Sequence, residues 1–290
     1  MVLICAAFSL RALGRLQEAV QAMKAGIEIN RTEVDWQDAN TNASKLSEFL
    51  LTLGDISKAV DAANYSVDGY CKNGEEVYRM ECKQSNLADV LHQSGEYNIA
   101  YSNFQEAEVI QKKRLPEYPF LYGLEGYKFC DFLLSDYVQG QVEKVITRAE
   151  KGLEISKTNG WLLAIALDKL TLGRAWMKLS SLDKAKAFLE EAVAGLREAN
   201  RQDYLPRGLL ARAEYYRLTQ EYTKAHDDLN EVRDIAELGG MKLHLCDYYL
   251  EKKELCLAQG LEKEAAENEK KARELIRETG YGRRRGKLGN

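Results

Sequence analysis

Apolar and polar positions in this chain follow a helical spacing, and the whole pattern recurs about every 40 residues. Each copy opens on a turn residue, with an apolar residue two positions on and a small one five positions on. The copies read Gly14-Leu16-Ala19, Gly54-Ile56-Ala59, Gly95-Tyr97-Ala100, Gly140-Val142-Val145, Ser180-Leu182-Ala185 and Gln220-Tyr222-Ala225. A last copy, Gly260 to Ala265, carries Glu262 at the apolar position. The turn residues lie 40, 41, 45, 40, 40 and 40 positions apart. A second small residue follows seven positions after the first, at Gly26, Ser66, Ala107, Gly152, Ala192 and Ala272, with Val232 the exception. Seven residues make about two helical turns, so the two positions share a stripe where another helix can approach closely. Met23, Phe104, Leu189 and Leu229 fill the space between.

A second periodic segment precedes each turn, clearest around Leu46, Leu50, Leu87, Leu91, Leu172 and Trp176. Each repeat is therefore a helix of about 20 residues, a short turn, and a helix of about 15. The predicted fold class is all-α: an α-α superhelix of about seven helix pairs in which each pair buries its face only against its neighbours. It spans residues 1–281, and 282–290 form a basic, flexible tail. Pro206 falls at a first helical turn, where its missing N–H costs nothing. Gly239 and Gly240 mark a helix end. Pro116 and Pro119 precede the fourth pair, and an insertion is expected at 135–139.

Terminal units of such an array need polar outer surfaces. The last helix has one, in Glu262, Lys263, Glu264, Glu267, Asn268, Glu269, Lys270 and Lys271. The first, around Leu3, Ile4 and Phe8, is almost wholly apolar. An upstream domain or a second chain is expected to cover it. The tail, with Arg283, Arg284, Arg285 and Lys287, reads as a frayed, solvated end, with contact to a phosphate or an acidic partner as the alternative.

Bulk composition narrows the function classes. The formal net charge is −4, which disfavours nucleic acid and anionic membranes as partners. No apolar run approaches the ~18–20 residues that span a bilayer. The six cysteines form no C-x-x-C pair, and the apolar start is too short for a secretory leader. Reduced thiols and a cytoplasmic location follow as expectations.

The residues that come nearest to catalytic or metal motifs fail on spacing. Gly286-Lys287 is followed by Leu288 and so fails as a phosphate-binding loop. His244 and Cys246 are two apart on a helix and face away from each other, which argues against zinc. Cys82 and His92 lie about 15 Å apart along one helix, too far for a nucleophile and its base. Neither a cofactor nor catalysis is expected. Trp161 and Trp176 read as core.

Several segments carry a resemblance. Residues 88–95 read Ala-Asp-Val-Leu-His-Gln-Ser-Gly, 119–127 Pro-Phe-Leu-Tyr-Gly-Leu-Glu-Gly-Tyr, and 167–175 Leu-Asp-Lys-Leu-Thr-Leu-Gly-Arg-Ala. Similar stretches occupy 205–213, 240–245 and 272–281. From about residue 40 onward the chain resembles the tetratricopeptide sensor arrays of bacterial NACHT and NB-ARC signal-transduction NTPases, although it contains no NTPase or effector domain. Its period exceeds the usual 34 residues of that unit, and Lys252 and Lys253 stand where small residues are usual. The resemblance implies that the first helix of each pair lines the concave face. Candidate partner-binding residues on that face are then Glu48, Asn86, Asp89, His92, Tyr127, Asp131, Arg174, Lys178, Arg207, Glu214 and Arg217. Their charge runs from acidic in repeats two to four toward basic in five and six. A protein or peptide lying along this groove is the expected ligand. The implied function is a non-enzymatic protein-binding scaffold or ligand sensor of a bacterial defence or signalling system. A subunit docking on a protease, nuclease or ATPase is the alternative, with an RNA- or nucleotide-binding repeat behind it.

Overall fold

The computed structural model describes residues 2–32, 36–73, 77–135, 138 and 140–288. Among these, fourteen α-helices follow in order: α1 (Val2–Ala12), α2 (Leu16–Thr32), α3 (Trp36–Leu53), α4 (Ile56–Asn73), α5 (Val77–Ser94), α6 (Tyr97–Arg114) and α7 (Gly123–Leu133). The series continues with α8 (Val142–Thr158), α9 (Leu162–Lys178), α10 (Leu182–Glu198), α11 (Leu205–Leu218), α12 (Tyr222–Gly239), α13 (Lys242–Ala258) and α14 (Glu262–Thr279). Consecutive helices pack as hairpins, and the hairpins stack in series.

The repeat is written into the turns. Gly14, Gly54, Gly95, Gly140, Ser180, Gln220 and Gly260 all adopt positive φ, from 56° at Ser180 to 92° at Gly95. In every pair but the fourth, where α7 already stops at Leu133, this left-handed residue ends the first helix, and the amide after it reaches back to close a Schellman motif. The bond recurs as Arg15 N–H to Leu10 C=O, Asp55 to Leu50, Glu96 to Leu91, Ser181 to Trp176, Glu221 to Tyr216 and Leu261 to Cys256. Ser180 and Gln220 hold this conformation without glycine's freedom, so the stacked hairpins impose it. Behind the turns, Ala19, Ala59, Ala100, Val145, Ala185, Ala225 and Ala265 are all buried, as is the second small stripe.

Both helices of a typical pair have 17 or 18 residues, as in α9 and α10, so the expected split of 20 and 15 is corrected. The length beyond the usual repeat is shared between the two helices. The fourth pair is irregular because α7 has only 11 residues and follows the proline-containing loop. Of the expected insertion at 135–139, residues 136, 137 and 139 lie outside the described residues. Trp161 is also corrected: it caps α9, is 44% exposed, and stacks on Tyr122 rather than entering the core.

The two ends of the array meet. From α1, Arg11 reaches Asp203, just before α11, at 2.6 Å, and Glu48 on α3 at 2.8 Å. Leu16 of α2 packs with Ala236 and Met241. The turn at Gly54 abuts Lys242 and Thr279, and α3 touches α13. The superhelix thus completes a circuit, and its inner helices line a central space.

The C-terminal segment joins this closure, which corrects the solvated tail. Gly282–Lys287 forms a 3-10 helix folded against the α5–α6 turn. A methyl group at Gly282 would lie 1.9 Å from the Ser94 carbonyl oxygen, so only glycine fits there. Arg283 bonds Asp131 and Gln93, and Arg284 bonds Asp247. At the other end, α1 buries Ala7 and Arg11 and sets Ile4 against Gly26, yet Val2, Phe8 and Leu13 remain 83%, 42% and 63% exposed.

One buried carboxyl makes a pH prediction. Asp168 on α9 accepts a hydrogen bond from Ser156 at 3.0 Å and has no cationic partner among the described residues. Burial raises its pKa to about 8. Its folded pKa exceeds the unfolded value near 4, so its contribution is full below pH ~4 and is lost as pH rises toward 8. Asp168→Asn keeps the acceptor without the ionisation. Melting curves of this variant should show a shallower decline in stability between pH 5 and 8 than the wild type, the remainder coming from Glu81 and Glu251, whose carboxyls burial raises to about 7.

Candidate functional site

This central space is a cavity of about 470 Å³, open to solvent, and walled by α3, α5, α7, α9, α11, α13 and the C-terminal 3-10 helix. Seven cationic side chains and five carboxylates line it, so the wall carries net positive charge although the whole chain is at −4. Of the eleven residues assigned to the concave face, the structure gathers seven here: Tyr127, Asp131, Arg174, Lys178, Arg207, Glu214 and Arg217.

Glu48, Asn86, Asp89 and His92 do not line the cavity. This is a correction with a common cause: at this end α3, α5 and α7 pack against one another, and Arg11 of α1 bonds Glu48 from the side of Asp203. Glu48 is 7% exposed and accepts from Arg11 and from Lys128 at 2.8 Å each. Burial alone would raise its carboxyl, but Lys128, Lys45 and Arg11 outweigh burial and hold it well below the usual range. Asn86 bridges Ser44 and Lys128. Asp89 accepts from Gln93 at 2.8 Å. His92 is fully buried, with both ring nitrogens unpartnered, edge-on to Phe132 at 5.0 Å. Burial and then Arg283 push its pKa well down, so it is a neutral core imidazole.

Much of the charge around the cavity is already paired. Asp131 accepts from Arg174 at 2.6 Å and is also clamped by Arg283. Burial would raise its pKa, but these two arginines hold it well below the usual range. Arg217 bonds Glu251 at 2.6 Å. The acidic-to-basic gradient is therefore largely spent on cross-repeat ion pairs. Lys178, Glu214, Glu254 and Lys287 are the exposed charges of the wall.

Reasoning from sequence missed the α13 contribution of His244, Asp247, Glu251 and Glu254. The signal was present: Asp247 lies one 40-residue period after Arg207, and Glu254 one period after Glu214. Burial pushes His244 down to about 4, with Arg207 adding to the effect, and raises Glu251 to about 7. Lys252 bonds His226 at 2.8 Å, so α13 tolerates the lysine expected to disturb it. Arg283 and Arg284 were assigned to the tail, and nothing local in the sequence places them in the cavity.

No family model matches the chain, and no curated protein matches its sequence. Solved structures do. The chain is similar to the apo form of RapI, with TM-score 0.65 and 14% identity, covering 95% of this chain and 97% of that one. It is equally similar to a Rap protein complexed with competence and sporulation factor, with TM-score 0.65 and 14% identity, covering 96% and 88%. A tetratricopeptide repeat protein from Parabacteroides merdae matches with TM-score 0.50 and 17% identity over 97% of both chains. The fold is thereby established as a tetratricopeptide-like helical repeat. No described helix is long and apolar enough to cross a membrane.

Proposed function

We propose that this chain is a ligand-binding repeat array that receives a segment of a protein or peptide in its inner cavity, without a catalytic step of its own. The observation that carries this reading is the cavity itself. Its volume falls within the ~300–1,000 Å³ of pre-formed ligand sites. Its wall combines Tyr97, Tyr127 and Tyr281 with fixed charges, a mixture suited to holding side chains and backbone together. A similar fold is known complexed with competence and sporulation factor, which supports ligand capture by this architecture. A role as the sensor of a signalling or defence system, in the cytoplasm, extends the same reading. The exposed apolar side of α1 supports a second protein surface there.

Reversing Arg174 or Arg217 would set carboxylates against Asp131 or Glu251 and damage the fold, so those variants test little. Lys178→Glu and Glu214→Lys alter the wall at exposed positions instead. Random dodecapeptides displayed on phage and selected on the full chain should yield binders. Both variants should change the affinity of those binders several-fold while melting as the wild type does. No enrichment, or binders indifferent to both changes, would contradict the reading.

A further inference from the structure

We propose that Arg207 is the anchor of the cavity for an oxyanion, a carboxylate or phosphate group of the ligand. The proposal rests on the reading that the cavity is a ligand site, and it adds the chemistry of what is held. Five arginines line the wall. Arg174 and Arg283 pair with Asp131, Arg217 with Glu251, and Arg284 with Asp247. Arg207 has no carboxylate within ion-pair distance among the described residues. Its one protein hydrogen bond there is a long one, 3.4 Å from a terminal nitrogen to the Tyr127 hydroxyl, and its buried Nε–H has no acceptor.

The side chain is nevertheless held in place. Its guanidinium carbon lies 5.7 Å from the Tyr127 ring and 5.5 Å from the Tyr204 ring, so two aromatic faces fix its position while supplying no counter-charge. The carboxylates that act on it through space are Asp89 and Asp131. Asp131 is paired with Arg174 and Arg283, and Asp89 accepts a hydrogen bond from Gln93 on its own helix; neither forms an ion pair with Arg207. Its neighbour His244 lies buried with its Nε2 3.2 Å from the Asp203 carbonyl and brings no negative charge. A guanidinium stays ionised at any working pH and presents a planar fork that matches carboxylate or phosphate oxygens. A charge left unpaired beside four paired ones, at the wall of a cavity, is a site prepared for an anion.

Arginine side-chain ¹⁵N spectra of the full chain test this, with Arg207→Gln assigning the resonance. Titration with glutarate or inorganic phosphate should shift the Arg207 Nε–H signal saturably and move the other four cavity arginines less. Arg207→Gln should weaken binding at least tenfold, and Arg207→Lys, which keeps the charge, should weaken it less. A response to glutarate alone assigns a peptide carboxylate; a response to phosphate alone assigns a phosphorylated ligand. No shift with either anion, or unchanged binding in Arg207→Gln, overturns the proposal. Phage-selected peptides that bind without acidic residues and ignore Arg207→Gln would overturn it while leaving peptide capture intact. Anion binding without any selected peptide would have the reverse meaning.

Discussion

Replacing Arg11 with methionine is expected to destabilise the protein by about 3 kcal/mol, the lower end of the cost of breaking a buried ion pair. The guanidinium is 8% exposed and holds two buried carboxylates from distant repeats, Glu48 and Asp203. It also lies 4.8 Å over the Phe49 ring. Methionine keeps part of that packing but leaves both acids short of a donor. The loss stays at the lower end because Arg201 still bonds Asp203 at 2.9 Å and Lys128 still bonds Glu48. The variant also carries a pH signature. Burial would raise both carboxyls, yet the cations outweigh it and both folded pKa values are depressed. Their contribution is therefore present above pH ~4 and is lost as pH falls through the folded values. Denaturant titrations should show wild type and Arg11→Met differing most at neutral pH and converging in acid. A constant difference across pH would mean that the two carboxylates are not what Arg11 holds.

The second large effect is expected at Arg283. Changing it to alanine removes the bond that fastens the C-terminal strap to Asp131 and Gln93. The cost is again about 3 kcal/mol, because both side chains of the pair are at most 7% exposed. Arg174 keeps Asp131 from being left unpaired. Hydrogen exchange should localise the change. Amides of 280–288 and of the α5–α6 turn should lose protection, while α9 and α10 keep theirs. A double-mutant cycle of Arg283→Ala with Asp131→Asn should give a coupling of 1 kcal/mol or more, within the usual ~0.5–3 kcal/mol for residues in contact. Additive effects would show that the pair does not hold the strap.

What the sequence disclosed and what it concealed separate along one physical line. The turns and small stripes were legible because they are local: a left-handed residue and two alanines seven apart are dictated within one hairpin. Even Ser180 and Gln220, which do not advertise a positive φ, were found by spacing. Closure was not legible. Arg11 and Asp203 are 192 residues apart, and Arg283 and Asp131 are 152 apart, so no repeat period relates them. Composition misled at the tail, where a run of arginines with glycines reads as solvated until its acceptors are known. It misled again at His92, which shares a helix face with groove residues but sits where the inner helices converge. Seven of the eleven candidate residues fall on the cavity wall because the 40-residue register carries a wall position from repeat to repeat; the same register, pursued one copy further, leads to Asp247 and Glu254.

Small-angle X-ray scattering of the full chain tests closure of the array most directly. A ring whose first and last repeats touch should have the radius of gyration of a compact chain of this length, about 19 Å. A value about a third larger, with a distance distribution stretched as in an open arc of stacked hairpins, would contradict the closed circuit of helices on which the binding site depends.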